Sequence, residues 1–201
     1  MRTFSNLLKS TWCILAIAIL SGCATTPTPE PIEVVVRPEI VALQSYALGI
    51  DSRESATAIE DQVREAMKSS RESKRIAAEL TQVLFLPETT IDAKRVICQQ
   101  LWLVGQPENV RSIAKLLNHT ETADMARYAI ERIDHEVVDN QLLYYLKKGP
   151  DSAKPGIINS LAIRGSESAL EHIQGYVGHQ DAAISNAALA AVARLPKKEK
   201  T

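Results

Sequence analysis

The sequence predicts an all-α protein made of about ten short helices. From Glu39 onward, apolar residues recur at spacings of three and four, and no segment alternates apolar and polar residues as a half-buried strand would. Stretches of turn-forming residues, such as LGID, LPETT and KKGPDS, interrupt this pattern at short intervals. A third signal is a repeated pattern of helix pairs, so we expect the helices to stack in pairs and form no sheet.

The apolar residues of each helix should form one buried stripe. The spacing predicts the stripes Ile59, Val63 and Met67; Ile76, Leu80 and Leu84; Val110, Ile113 and Leu117; and Val138, Leu142 and Leu146. The expected helix starts are Pro107 in a first turn and the N-caps Asp151 or Ser152, Ser166 and Asp181. These assignments place the core along one side of every helix.

The chain begins with a segment that has the composition of a secretory signal. Arg2 and Lys9 are the only charged residues before Cys23, and TWCILAIAIL supplies about ten residues of little polarity. A helix of that length rises about 15 Å, half of a bilayer core, so it is too short to span a membrane. A basic start, an apolar middle and small residues at the end predict a signal peptide over residues 1–22.

The stretch LSGC, from Leu20 to Cys23, resembles the lipobox of bacterial lipoproteins. That pattern has an aliphatic residue, two small residues and the cysteine that becomes the acylated first residue, and all four positions match. The resemblance implies removal of residues 1–22 and lipid on Cys23. Each buried CH₂ of an acyl chain contributes about 0.8 kcal/mol, so several chains give almost permanent anchoring. The alternative is an ordinary cleaved signal followed by a chance cysteine.

Lipid on Cys23 would place the protein in the cell envelope, anchored on the periplasmic side of a membrane. The residue after the cysteine is Ala24 rather than an aspartate. In lipoproteins of enteric-type bacteria this implies export, so the resemblance favours the outer over the inner membrane of a Gram-negative host. The membrane is therefore the first partner that the resemblance implies.

A linker separates the anchor from the helices in this interpretation. Residues 23–38 contain four prolines interspersed with threonines, a composition typical of a semi-stiff, extended tether. At about 3.1 Å per residue, the tether would lift the domain roughly 40 Å from the membrane. We expect an N-terminal helical cap at residues 39–70, helical repeats at 71–196 and a charged, solvated tail at 197–201.

Charge and cysteine content restrict the possible partners. The chain has 23 basic and 24 acidic residues, and removal of Arg2 and Lys9 leaves 21 against 24, a net charge of −3. Neither sign dominates, so nothing favours a nucleic-acid partner, which requires a basic stripe. Cys98 is the only cysteine left for the folded domain, and its apolar helical surroundings predict a buried thiol outside any internal disulfide.

An internal repeat explains why the helices should stack. The segment AKRVICQQLWLVGQPENVRSIAKLLNH, starting at Ala93, aligns with AKPGIINSLAIRGSESALEHIQGYVGH, starting at Ala153, at an offset of sixty residues. A middle unit fits at an offset of about 29 from Leu101, which gives a period near thirty and one helix pair per unit. One pair cannot bury its own apolar face, so neighbours must cover it. Gly105 and Gly165 align where the first helix ends, and we expect a positive φ there.

These units resemble the HEAT repeat, in particular the short variant related to phycobilisome-lyase repeats. The resemblance covers roughly Leu80 to Leu195 and rests on the segments MARYAIERI, AKPGIINSLAIRG and AALAAVARL. It implies a right-handed α-solenoid whose second helices line the concave face, a fold that mostly binds proteins. The last unit departs from the family, because its first helix, Asp181 to Leu195, is followed by Pro196 and by no partner helix.

Enzymes with related repeats supply the main alternatives. The HEAT-like deoxyhypusine hydroxylases bind two irons through four His-Glu pairs, whereas only His135-Glu136 makes such a pair here. His119 and His179 hold matching positions two units apart, about 20 Å at ~10 Å per layer, which is too far for one metal. We therefore expect no enzymatic activity, no metal and no cofactor. The alternatives are a subunit or regulator of an envelope enzyme, a phycobilin-lyase-like enzyme, or a purely structural envelope component.

The exposed side of the second helices is the predicted binding face. Tyrosine and arginine are favoured at interface centres, and tyrosines among charges are typical of a recognition surface. The candidate residues are Arg111, Lys115, Gln141, Tyr144, Tyr145, Lys148, His172 and Tyr176. The expected partner is an envelope protein or peptide. The alternative is that one tyrosine of each pair caps the core between repeats and that the charges are only solvated.

Two further expectations concern single elements. Trp102 is flanked by Leu101 and Leu103, so we expect it in the core. The alanine-rich last helix, AAISNAALAAVARL, has no closing partner, so its outer side is a predicted surface for self-association or for a partner.

Overall fold

The computed structural model describes residues 35–195. The predicted signal peptide, the predicted lipidation of Cys23, most of the predicted linker and the predicted tail at 197–201 lie outside the described residues. Within residues 35–195 there are ten α-helices and four 3₁₀ turns but no strand, which confirms the all-α prediction. None of the described helices is both long enough and apolar enough to cross a membrane.

The helices are short and follow one another closely. The α-helices are α1 (Pro38–Val41), α2 (Glu54–Ala66), α3 (Ser70–Val83), α4 (Ile91–Val104), α5 (Pro107–Ala114), α6 (Ala123–Glu131), α7 (Glu136–Lys148), α8 (Lys154–Ile163), α9 (Leu170–Gln174) and α10 (Ala182–Arg194). The 3₁₀ turns are Ala42–Ser45, Lys115–Asn118, Asp151–Ala153 and Glu167–Ala169.

Local sequence explains where α5 and α10 begin. Pro107 is the first residue of α5, where its missing N–H leaves no helical hydrogen bond unmade. The carboxylate of Asp181 accepts hydrogen bonds from the backbone N–H groups of the second and third residues of α10, at 2.8 and 3.2 Å. Both starts are as predicted. Asp151 and Ser166 accept no capping bond, because each lies at a 3₁₀ turn, and Asp151 pairs with Lys154 instead.

The two glycines aligned by the repeat end their helices differently. Gly165 has a φ of +66°, as predicted. Gly105 has a φ of −55°, so the same prediction is wrong there. A Cβ at Gly105 would lie 2.5 Å from the carbonyl oxygen of Leu101. Close approach of the backbone, rather than a left-handed conformation, is therefore what requires glycine at that position.

From α2 onward, the helices pack in an alternating order. Helix α2 contacts α4, α4 contacts α6, α6 contacts α8, and α8 contacts α10, so the even-numbered helices form one row. Helix α3 contacts α5, and α5 contacts α7, in a second row. Neighbours in sequence, such as α2 and α3 or α7 and α8, pack across the two rows, and α9 packs against α10. Each row therefore presents its own outer surface to solvent.

The core lies between the two rows and consists largely of the predicted stripes. Eleven of the twelve predicted side chains, all except Met67, are at most 1% exposed. Met67 is exposed because α2 ends one residue earlier, at Ala66, and the chain turns away from the core. Full burial of an aliphatic side chain contributes about 1.5–3 kcal/mol, so these stripes hold the rows together.

A buried ion pair fixes the start of the described chain to α3. Glu79 is fully buried and accepts hydrogen bonds from the Nε atoms of Arg37, at 2.7 Å, and Arg75, at 3.1 Å. Arg37 immediately precedes α1 and the other two residues lie on α3. The two guanidinium groups compensate the buried carboxylate, which would otherwise be costly to bury.

Candidate functional site

The predicted binding face contains a groove between α5 and α7. The groove has a volume of ≈420 Å³. It is lined by Pro107, Glu108, Arg111, His135, Glu136, Val137, Asn140 and Gln141. Two of the candidate residues, Arg111 and Gln141, thus share one groove. Its lining combines one guanidinium, two carboxylates and two amides, which gives it donors and acceptors for a polar peptide.

The tyrosines of the predicted face have different roles. Tyr144 is 54% exposed, whereas Tyr145 packs against the core and meets Tyr144 edge to face at a centroid distance of 5.0 Å. Partial burial raises the pKa of the Tyr145 hydroxyl. The hydroxyl of Tyr176 donates a hydrogen bond of 2.9 Å to the carbonyl of Leu146 at the end of α7. Tyr144 is therefore the tyrosine most available to a partner, and the other two support the packing.

The remaining candidate residues do not converge on the same groove. Lys115 lies in a separate groove of ≈330 Å³, together with Phe85, Lys94 and His119. Lys148 is exposed at the end of α7, and His172 is half-buried on α9. The structure therefore brings Arg111 and Gln141 together. It leaves the other candidates apart, on α7, in the 3₁₀ turn after α5, and on or just after α9.

A second and more apolar cleft lies on the other row, between α4 and α6. This feature, the aromatic cleft, has a volume of ≈550 Å³. It is lined by Arg95, Cys98, Gln99, Trp102 and Leu103 of α4 and by Asp124, Met125, Arg127 and Tyr128 of α6. The volume is within the range of about 300–1,000 Å³ that is usual for ligand pockets. Sequence reasoning did not identify this cleft.

Trp102 forms a wall of the aromatic cleft, so the prediction that it lies in the core is wrong. Its ring is half-buried and stacks on that of Tyr128, with the centroids 5.4 Å apart and the planes at 14°. The guanidinium of Arg132 lies 4.6 Å from the centroid of the Trp102 ring. On α4, Trp102 follows Leu101, so its side chain lies beside the buried stripe rather than on it. This position at the edge of the stripe is the signal that could have located the cleft.

Cys98 contributes a buried thiol to the lining of the aromatic cleft. The prediction of a buried thiol is confirmed, because the side chain is 0% exposed. Burial raises the pKa of the Cys98 thiol to about 12. The thiol therefore stays neutral at physiological pH and contributes an apolar surface rather than a nucleophile.

Two of the four histidines, His135 and His179, accept hydrogen bonds that stabilise turns. The Nδ1 atom of His135 accepts a hydrogen bond of 3.1 Å from the backbone N–H of Val137 at the start of α7. The Nδ1 atom of His179 accepts one of the same length from Asp181 before α10. Within residues 35–195, no three residues among His, Cys, Asp and Glu are grouped so that they could hold a metal ion.

The charges near the aromatic cleft differ in how they are compensated. Arg95 pairs with Asp92 on α4, and the pKa of Asp92 is lowered chiefly by a hydrogen bond from the backbone N–H of Leu48. Arg127 pairs with Glu131 at 2.9 Å. No carboxylate of residues 35–195 lies within ion-pair distance of Arg132. Among these three arginines, Arg132 is therefore the one whose charge the described part of the chain does not pair.

Comparisons with protein-family models, with curated proteins and with solved structures find no match to this chain. Two candidate sites thus stand on the geometry of the described residues. They are a polar groove on the row of α5 and α7 and the aromatic cleft on the row of α4 and α6.

Proposed function

We propose that the protein is a non-enzymatic scaffold of the cell envelope, which binds a protein or peptide and is anchored to a membrane through lipid on Cys23. The groove between α5 and α7 carries this proposal. It brings Arg111 and Gln141 of the predicted face into one lining, on the row that also exposes Tyr144. Arginine and tyrosine are the residues that most often dominate binding energy at protein interfaces.

We propose further that the helix pairs form a right-handed HEAT-like solenoid. The alternating contacts of α3, α5 and α7, and of α4, α6, α8 and α10, support this arrangement. The period near thirty residues in the sequence supports it as well. In a solenoid of this kind each unit contacts only its neighbours, and one face of the stack forms an extended binding surface.

Photo-crosslinking in living cells tests the binding face. A photoreactive amino acid replaces Tyr144 in the full chain, and a matched control replaces Thr57, which is exposed on α2 in the other row and lies on no surface proposed to bind a partner. We expect a discrete crosslinked product from position 144 that is absent from position 57 and weakened by Arg111→Glu. No product from position 144, or the same product from both positions, would contradict a partner on this face.

Intact-mass measurement tests the anchor. We expect the mature protein to begin at Cys23, to carry the added mass of acyl chains and to fractionate with membranes. The Cys23→Ser variant should lack that mass and leave the membrane fraction. A wild-type chain with an unmodified Cys23 would contradict the lipoprotein assignment and leave the binding face to be judged by crosslinking.

A second copy of the chain is the other partner that a particular surface favours. Helix α10 contacts α8 and α9, and it exposes Leu189 together with Ala190 and Ala193. We propose self-association through this exposed side. Analytical ultracentrifugation of the wild-type protein in detergent should show a concentration-dependent increase in mass that Leu189→Glu removes. A strict monomer at high concentration would rule it out.

A further inference from the structure

We propose that the aromatic cleft is a second binding site, which takes a peptide segment carrying a bulky apolar side chain next to a carboxylate. The site lies on the row of α4 and α6, so it does not depend on the groove of the proposed function.

The lining of the cleft fits an apolar anchor. Cys98 provides a neutral floor, Met125 is partly buried, and the stacked rings of Trp102 and Tyr128 form a wall. Leu103 and Tyr128 remain 39% and 43% exposed at the cleft, so large apolar surfaces are left in contact with water. A bulky apolar side chain that entered the cleft would remove this surface from water.

The cleft is not a general result of helix stacking, because the next one along the row is filled. Between α6 and α8, the guanidinium of Arg127 donates to Glu131 at 2.9 Å and to the hydroxyl of the buried Ser160 at 3.0 Å. The Ser160 hydroxyl in turn donates to Glu131. Gly156 makes room for Arg127, since a Cβ there would lie 2.9 Å from its Nε atom.

Charge complementarity identifies the chemistry of the partner. Arg132 is held against the face of Trp102, and no carboxylate of the described chain pairs with it, whereas the neighbouring Arg95 and Arg127 are both paired. A guanidinium that stacks through its face keeps the N–H groups of its edge free to donate to a carboxylate. Arg132 is not itself a lining residue of the cleft, but it lies against Trp102, which is one. An aspartate or glutamate next to the apolar anchor would therefore meet Arg132 beside Trp102 when the anchor enters the cleft.

The polar lining favours a peptide over the acyl chain of an anionic lipid. Gln99 and Asp124 also line the cleft, and Asp124 is 86% exposed. A side-chain amide and a carboxylate can hydrogen-bond the C=O and N–H groups of a peptide backbone. An acyl chain has no such groups, so it would gain no hydrogen bond from either of these two exposed side chains.

Peptide selection on the full chain in detergent micelles tests the site. A phage library of random peptides is selected against the wild type and against Arg132→Glu, a surface change that should leave the fold intact. We expect the wild type to enrich peptides with Phe, Trp, Leu or Met beside Asp or Glu, and Arg132→Glu to enrich the same anchors beside Lys or Arg. A purely structural role of Arg132 would not reverse the charge preference.

Binding measurements on one enriched peptide complete the test. Fluorescence anisotropy should show affinity reduced about tenfold or more by Arg132→Glu and by Tyr128→Ala, and unchanged by Arg111→Glu in the other groove. Circular dichroism confirms that each variant is folded. Failure to enrich a shared motif, or an equal effect of Arg111→Glu, would overturn the proposal. Binding of phosphatidylglycerol vesicles that Tyr128→Ala abolishes, without any enriched peptide, would assign the cleft to lipid and also overturn it.

Discussion

The two clefts on either side of α6 occupy equivalent places in the repeat but differ in how they are closed. With Leu101, Ile130 and Leu161 aligned, Trp102 on α4 corresponds to Glu131 on α6. Glu131 seals the cleft toward α8 with Arg127 and Ser160, whereas Trp102 stacks on Tyr128 and leaves a space of ≈550 Å³ toward α6. The helix pairing sets the spacing, and residues beside the core stripe decide whether the space is filled.

The residues that fill or open each cleft form matched pairs. The cleft between α6 and α8 is here called the sealed cleft, and the aromatic cleft between α4 and α6 is the open cleft. In the same alignment, Arg127 and Gly156 of the sealed cleft correspond to Cys98 and Met125 of the open cleft. The sealed cleft thus combines a long charged side chain with a glycine that makes room for it. The open cleft combines a short thiol with a flexible thioether, so it keeps an apolar lining and an unfilled volume.

The largest effect should come from shortening a core side chain of α6, the helix that borders both clefts. Ile130 is fully buried on α6, and Ile130→Ala should lower the free energy of unfolding by about 2–5 kcal/mol, because it leaves a cavity beneath both neighbours. Urea unfolding followed by circular dichroism measures the change. The control is Ile163→Ala at a side chain that is 61% exposed, which should change stability by less than about 0.5 kcal/mol. If the two variants lowered the free energy of unfolding equally, Ile130 would not be part of a core beneath both clefts.

Alkaline pH should lower the stability of the folded protein through Cys98, which lines the open cleft. Burial raises the pKa of the Cys98 thiol from 9.0 to about 12, so folding favours the protonated form. This contribution to stability is complete below about pH 9 and is lost as the pH rises toward 12, which gives a loss of roughly 1–2 kcal/mol near pH 10. Unfolding of wild type and Cys98→Ala at pH 7 and 10 should show the larger fall in wild type, because other groups titrate equally in both. Parallel pH profiles would contradict the burial of the thiol.

A smaller effect should follow from loosening the sealed cleft. Ser160→Ala removes a fully buried hydroxyl that bonds both Glu131 and Arg127, so it should cost about 1–2 kcal/mol. Ser45→Ala, at an exposed hydroxyl, is the matched control with an expected change below about 0.5 kcal/mol. Denaturant titration compares the two variants. If they are indistinguishable, the polar network does not stabilise the contact between α6 and α8.

The smallest effect on stability should come from Arg132→Ala, beside the open cleft, measured at neutral pH. Arg132→Ala removes a stacked but exposed guanidinium, so the free energy of unfolding should fall by about 0.5–1 kcal/mol at most. The same titration should rank this variant below Ser160→Ala. A loss larger than that of Ser160→Ala would show that the stacked arginine maintains the fold, and would weaken its assignment to ligand binding.

The sequence predicts what depends on local periodicity. Leu80, Ile113 and Leu142 are buried because each belongs to a stripe with helical spacing, and that spacing is visible within a single helix. Asp181 and Pro107 mark helix starts for equally local reasons, since their effect involves only the next few backbone groups. The all-α class follows from such signals.

The candidate sites depend on contacts between helices, which no single segment reveals. Trp102 stacks on a residue 26 positions later, and that contact exists only because α4 and α6 lie side by side. Tyr145 and Tyr176 look like exposed tyrosines in the sequence, but they pack against neighbouring elements. At Gly105 the alignment of repeats locates the turn, while the close approach that requires glycine appears only in three dimensions.

The pairing of Arg37 with buried Glu79 has a mechanical consequence if the chain is tethered to a membrane at its N-terminal side. Tension along the tether would enter the domain at Arg37 and pass directly to α3, through an ion pair that is 2.7 Å long and closed off from water on the carboxylate side. The single turn of α1 would then be spared from unravelling under a pull. The force would then act on α3, a helix of 14 residues, rather than on the four residues of α1.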